Sequence, residues 1–187
     1  MVAAETVLAE GQPARTERSP RAAQIVAAAR VILEGEGHDA LTMRRLADDL
    51  GIRAPSLYKH FPDKQGVLVA LVEEALAETG EVLHRAVRRP GRRSPVASLL
   101  AAYRHHCVAR PHLYRLATAG RLPRPALPPG LEAWAGEPFE LVAGDEHRGR
   151  ALWSLCHGMV LLEIDGRYPD GADVDRAWQA AAEAFAD

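Results

Sequence analysis

An all-α fold is predicted by three features of this 187-residue chain. Apolar residues recur at i, i+3, i+4 and i+7 through most of its length, the period of one buried helix face. No segment alternates apolar and polar residues for long enough to read as a strand. Proline and glycine fall at the joints between periodic segments, where they start or stop helices.

Taken in order, residues 1–18 have no sustained period, carry Gly11, Pro13 and mixed charges, and read as a flexible arm. Ser19-Pro20 supplies an N-cap and a first-turn proline. Ile25, Ala28, Ala29, Ile32 and Leu33 then form one apolar face, and Gly35 and Gly37 end that helix. Thr42 caps a second helix whose face is Met43, Leu46, Ala47 and Leu50, and Gly51 stops it. A short third helix is expected over Ala54–His60, with Leu57 and Phe61 turned inward. After Pro62-Asp63 a long helix is expected from about Lys64 to Val87, burying Val67, Leu68, Leu71, Val72, Ala75 and Leu76. Arg88 to Pro95 reads as a basic loop. Further helices are expected at about 95–109, 111–119 and 131–143, the last two separated by the proline-rich stretch Leu122–Gly130. A strongly apolar helix follows at about 146–165, and an alanine-rich one, capped by Asp173, at about 174–186.

The formal charge of -2 excludes a globally basic coat, so an anionic partner must meet a local patch. The only lysines are Lys59 and Lys64. Cys107 and Cys156 are far apart in sequence and imply no disulfide framework. No signal-peptide pattern opens the chain, and no stretch approaches the roughly 20 apolar residues of a membrane span, so a cytoplasmic location is expected.

Chemistry concentrates in "LTMRRLADDLGIRAPSLYKHFPDK", Leu41–Lys64. Two short helices joined through Gly51 make a helix-turn-helix, since glycine permits the backbone the sharp turn needs. Packing by Leu46, Ala47, Ile52 and Leu57 leaves Arg53, Ala54, Pro55, Ser56, Tyr58 and Lys59 facing outward. A helix with this start brings its N-terminal end to base edges in a major groove. Lys59 and Lys64 neutralise phosphates, Tyr58 and Ser56 offer hydroxyls, and His60 offers an N–H. The helix start after Asp63 is expected to face a phosphate.

The order Thr42, Leu46-Ala47, Gly51-Ile52, Ser56-Leu57-Tyr58-x-His60-Phe61, Lys64 resembles the DNA-binding domain of TetR/AcrR-family transcriptional regulators, over about residues 20 to 80. The resemblance implies a non-enzymatic, cofactor-free protein that docks as a homodimer on palindromic double-stranded DNA and answers to a small-molecule effector. It implies phosphate contacts from Thr42, Tyr58, His60 and Lys64. It implies base contacts from Arg44, Ala54, Pro55 and Tyr58, with Arg53 and Lys59 serving either and Arg45 beside Arg44 as a further candidate. Arg53 departs from the pattern: the family usually carries a small capping residue there, and arginine cannot cap in that way. The implied division is an arm at 1–18, a helix-turn-helix domain at 19–64 and a ligand-binding and dimerisation domain at 65–187.

In the second half, Trp153, His157 and Gly158 form a W-x-x-x-H-G arrangement that resembles one C-terminal subgroup of the family. The last two helices look apolar nearly all round, and such helices need burial on several sides. Leu152, Leu155, Met159, Leu162, Ala177, Ala181 and Ala184 are the candidates for a four-helix dimer interface. A pocket beside the long fourth helix is expected to use Leu76, Tyr103, His106, Leu116, Trp134, Phe139, Trp153 and His157. His105, His106 and Cys107 are adjacent and point different ways on a helix, so no metal site is expected. A small all-α hydrolase using Cys156-His157, or a helix-turn-helix serving protein contacts, are the competing readings. The first lacks any nucleophile or metal motif.

Overall fold

A computed structural model describes residues 11–186, and within them it is helical with no strand. The helices are α1 (Pro20–Glu36), α2 (Met43–Asp49), α3 (Ala54–Tyr58), α4 (Lys64–Arg88), α5 (Pro95–Val108), α6 (Pro111–Thr118), α7 (Leu131–Ala143), α8 (Glu146–Ile164) and α9 (Val174–Glu183), with a 3-10 turn at Arg124–Ala126. The ends follow from local chemistry. Ser19, Thr42, Asp63, Ser94, Asp145 and Asp173 each accept a first-turn N–H at the start of a helix. α3 closes two residues before the expected end, because His60 and Phe61 both donate to the Leu57 carbonyl and tighten the chain ahead of Pro62. α9 likewise stops at Glu183, where the Phe185 N–H turns back to Ala182.

Two main cores divide the molecule. The first joins Ile25, Ala29 and Leu33 of α1 to Leu46, Leu57, Phe61 and the first turns of α4, and it takes in Leu113 of α6. The second joins Leu83 and α5 to Tyr114, Phe139, α8 and Trp178. Leu113 and Tyr114 are neighbours in sequence yet belong to different cores, so α6 is built into both. α4 also crosses the boundary between them.

The arm expected at 1–18 needs correction where it can be seen. Residues 1–10 lie outside the described residues. Residues 12–18 are not loose: they run along α4, held by its acids. Gln12 and Arg15 bond Glu81, the Thr16 N–H donates to Glu73 at 2.7 Å, and Arg18 pairs with Glu73. Glu73 is 1% exposed, so this carboxylate depends on both donors. Replacing Glu73 with alanine is expected to cost about 3 kcal/mol, since one half of a buried pair is left behind. Urea titration should show the loss, and Glu73→Gln should recover part of it by keeping an acceptor for Thr16.

Pro138, inside α7, has no N–H for the Trp134 carbonyl four residues back. Buried His84 of α4 supplies the missing donor, its Nε2 lying 2.9 Å from that oxygen with the rings stacked at 4.7 Å. α4 and α7 are thereby locked at one height.

Candidate functional site

The helix-turn-helix end is assembled by α2 and α3. Gly51 takes φ +62°, the left-handed conformation the sharp turn requires. Arg44, Arg53, Pro55, Tyr58, Lys59 and His60 are exposed, while Ala54 and Ser56 are half-buried. Arg53 forms no side-chain cap on α3, as its chemistry implies, and its guanidinium stays in solvent. Thr42 plays two parts. Its hydroxyl oxygen accepts the Arg45 N–H at 3.1 Å, which leaves its own O–H free to donate outward.

Three of these groups have partners within the chain. Arg45 is not a free cation: it bonds Asp49 at 2.9 Å and Glu36 at 2.7 Å. Of the two neighbouring arginines, Arg44 is therefore the one left for an external anion. The start of α4 is not open to a phosphate at every N–H, because Asp63 accepts the Gly66 N–H at 2.9 Å. Lys64 is half-buried and donates to the His38 carbonyl at 3.1 Å, tying α4 to the loop before α2.

The other end holds a cavity of about 820 Å³, walled by α4, α5, α6, α7 and α8. That volume lies within the roughly 300–1,000 Å³ of small-molecule sites. Tyr103, His106, Cys107 and Arg110 share one face of α5 and its C-terminal corner and line it together. Phe139 and Trp153 close two other sides. A polar chain crosses the wall: the Tyr103 and Tyr114 hydroxyls are 2.9 Å apart, and Tyr114 Oη is 2.6 Å from His157 Nδ1. Burial lowers the His157 pKa and raises those of both phenols, so all three groups are neutral at pH 7.

Four of the sequence-derived pocket positions, Tyr103, His106, Phe139 and Trp153, lie on the lining, as does Leu76. Three do not. Leu116 packs against the first core beside α1. Trp134 sits on the far face of α7, turned to Ala77 and Gly80 of α4. His157 is not on the lining and reaches the cavity through Tyr114, which it bonds, and Trp153, on which its ring stacks at 5.7 Å. Sequence reasoning missed Arg110, Tyr114 and Thr79. The α5 period extended past its end points to Arg110, but Tyr114 carries no such signal, because its role depends on a residue 43 positions away.

The dimer candidates also separate. Leu152 is fully buried, and Met159 and Ala181 are nearly so, inside this subunit's own core, so they are withdrawn from any outer face. Ala177 packs partly on the same core. Leu155 and Leu162 are 38% and 45% exposed, and with Ala151, Ser154 and Gly158 they share one face of α8. α9 is amphipathic rather than apolar all round, with Ala184 and the charged Asp175, Arg176 and Glu183 exposed and Trp178 inside.

No helix among the described residues is long and apolar enough to cross a membrane. Residues 25–71 match the family described as bacterial regulatory proteins, tetR family, and residues 96–185 match the tetracyclin repressor-like C-terminal domain. The second description does not mention the W-x-x-x-H-G subgroup, so that finer assignment rests on Trp153, His157 and Gly158 alone. The chain is 30% identical to an uncharacterized HTH-type transcriptional regulator of Mycobacterium tuberculosis over 179 residues, 90% of this chain and 79% of that protein. It is 46% identical over 54 residues to the class A tetracycline repressor protein from transposon 1721 of Escherichia coli, 29% of this chain and 25% of that one. A solved protein of unknown function from Rhodococcus sp. RHA1 superimposes with a TM-score of 0.71 at 26% identity, covering 90% of this chain and 94% of that one. With these matches over both halves, the helix-turn-helix and the helical domain behind it identify the chain as a member of the TetR family, a DNA-binding transcriptional regulator and not an enzyme.

Proposed function

We propose that the protein is a ligand-responsive repressor: a homodimer holds a palindromic operator, and a small molecule in the cavity releases it. The observation that carries this reading is the double membership of α4 and α6. The first turn of α4 lies under the helix-turn-helix, while Ala75, Leu76 and Thr79 of the same helix line the cavity. Lys64 and Leu76 are about 18 Å apart along one rigid rod. α6 places Leu113 in the first core and Tyr114 on the cavity wall. A molecule that favours one setting of these helices shifts the α2–α3 unit, and it acts only by its differential affinity for two settings.

In this reading Arg44, Arg53, Tyr58 and Lys59 meet DNA, with Thr42 and His60 on phosphates, and residues 19–64 and 65–187 divide the work. The face of α8 bearing Leu155 and Leu162 pairs with its copy, placing two recognition helices roughly 34–36 Å apart. The tetracycline repressors that share this chain's helix-turn-helix segment support the repressor sense.

The test is selection from random duplexes at two salt concentrations. An enriched palindrome, bound less tightly as salt rises, is expected. Folded protein that enriches no sequence, or binds with no salt dependence, would remove the reading.

A further inference from the structure

The cavity contains an arginine that the protein does not neutralise. Of its lining arginines, Arg124 pairs with Glu132 at 2.6 Å and Arg150 pairs with Glu146. Arg121 stands exposed at the mouth. Arg110 is half-buried, and it pairs with no carboxylate among the described residues. Its guanidinium reaches only the last turn of α5, the His106 Nδ1 at 3.3 Å and the His106 carbonyl at 3.4 Å, both long contacts. Burial, and then Arg110 itself, lowers the His106 pKa, so the imidazole beside it is neutral. Arg110 assists only weakly the ionisation of Glu78, which Arg30 already bonds. A guanidinium has five donors in a planar fork, and most of these stay unused.

We propose that the cavity takes an amphipathic organic carboxylate, its head on Arg110 and its apolar body along Leu76, Phe139 and Trp153. The assignment rests on the cavity being the effector site proposed above. The fork of Arg110 matches a carboxylate in bidentate fashion. Tyr103, about two turns back along the same face, offers a hydroxyl to the same cavity. Its chain through Tyr114 to neutral His157 can run in either direction, so Tyr103 presents a donor or an acceptor as required. A dianion fits less well, because one guanidinium balances one charge and Glu132, Glu140 and Glu146 line the same cavity. A cationic head would meet Arg110 unscreened. Arg110 also stands at the N-cap position of α6, without a side-chain cap, and that helix enters the first core, so its partner acts where the two cores are joined.

Three probes with the same tail decide the matter: dodecanoate, 1-dodecanol and dodecylamine, kept below their aggregation limits. Binding is followed by calorimetry and by tryptophan fluorescence, since Trp153 lies on the wall. Dodecanoate is expected to bind at least tenfold more tightly than either analogue. Arg110→Gln should abolish that preference while leaving dodecanol binding and the melting temperature near the wild-type values, and Arg110→Lys should retain part of it. Equal or tighter binding of the alcohol or amine, an anion preference that survives in Arg110→Gln, or no binding of dodecanoate would each overturn the assignment. Operator affinity is measured with each probe bound. Release by the alcohol rather than the acid would remove the carboxylate assignment and keep the effector reading. Tight, Arg110-dependent dodecanoate binding without any change in operator affinity would do the reverse.

Discussion

Replacing Gly149 with alanine is expected to destabilise the protein by about 3 kcal/mol, near the upper end of what one extra methyl does in a packed interior. A Cβ built there lies 2.8 Å from Glu140 Cα and 2.9 Å from its backbone nitrogen. No rotamer change relieves a clash with backbone, so α7 and α8 must part. In an open helix the same change helps, by roughly 1 kcal/mol, because glycine is the poorer helix former. Gly35 of α1 is the control: nothing lies within 4 Å of its added Cβ. Thermal melts of Gly35→Ala and Gly149→Ala should shift in opposite directions. Gly80 is a second close approach, where the obstacle is the Trp134 ring, which can tilt only by disturbing its stack on His84.

The double variant Tyr58→Ala/Lys59→Ala is expected to lose at least tenfold in operator affinity without a change in melting temperature. Both side chains are exposed, so folding does not depend on them. A base or phosphate contact is worth about 1–3 kcal/mol, and each lost phosphate contact flattens the logarithmic salt dependence by about one unit. Arg45→Ala should do much less, since that guanidinium is spent on Glu36 and Asp49. Fluorescence anisotropy over a salt series distinguishes the two cases. A double variant that binds as wild type would instead favour a helix-turn-helix used for protein contacts.

The helices were legible because their causes are local. Ser19, Thr42 and Asp173 cap where their hydroxyls and carboxylate promise, and the apolar faces of α1, α2 and α4 are read directly from spacing. Ends drifted by up to three residues where a turn closed early, as at α3 and α9. The helix-turn-helix was legible for a related reason: its glycine, its short helices and its polar outer face lie within 24 consecutive residues.

The cavity was legible only in part. Tyr103 and His106 were found because one helix face carries them. Leu116 and Trp134 were misplaced because an apolar residue on a helix facing several neighbours gives no sign of which one it meets. The dimer candidates failed in the same way at Leu152, Met159 and Ala181. A helix apolar on two sides has one side for its own core and one for a partner, and composition does not separate them. Residues 12–18 misled because polar, aperiodic sequence reads as loose unless the acids that hold it are known, and those acids lie 55 or more residues further along.

By itself, then, the sequence determined the all-α class, most helix boundaries and the residues of the helix-turn-helix, all set by interactions spanning a few turns. Tertiary structure alone decided which arginines remain free, which face of α8 stays outside, and how Pro138 recruits His84. Those outcomes depend on which distant groups arrive at the same place, and charge pairing and close packing are settled only on arrival.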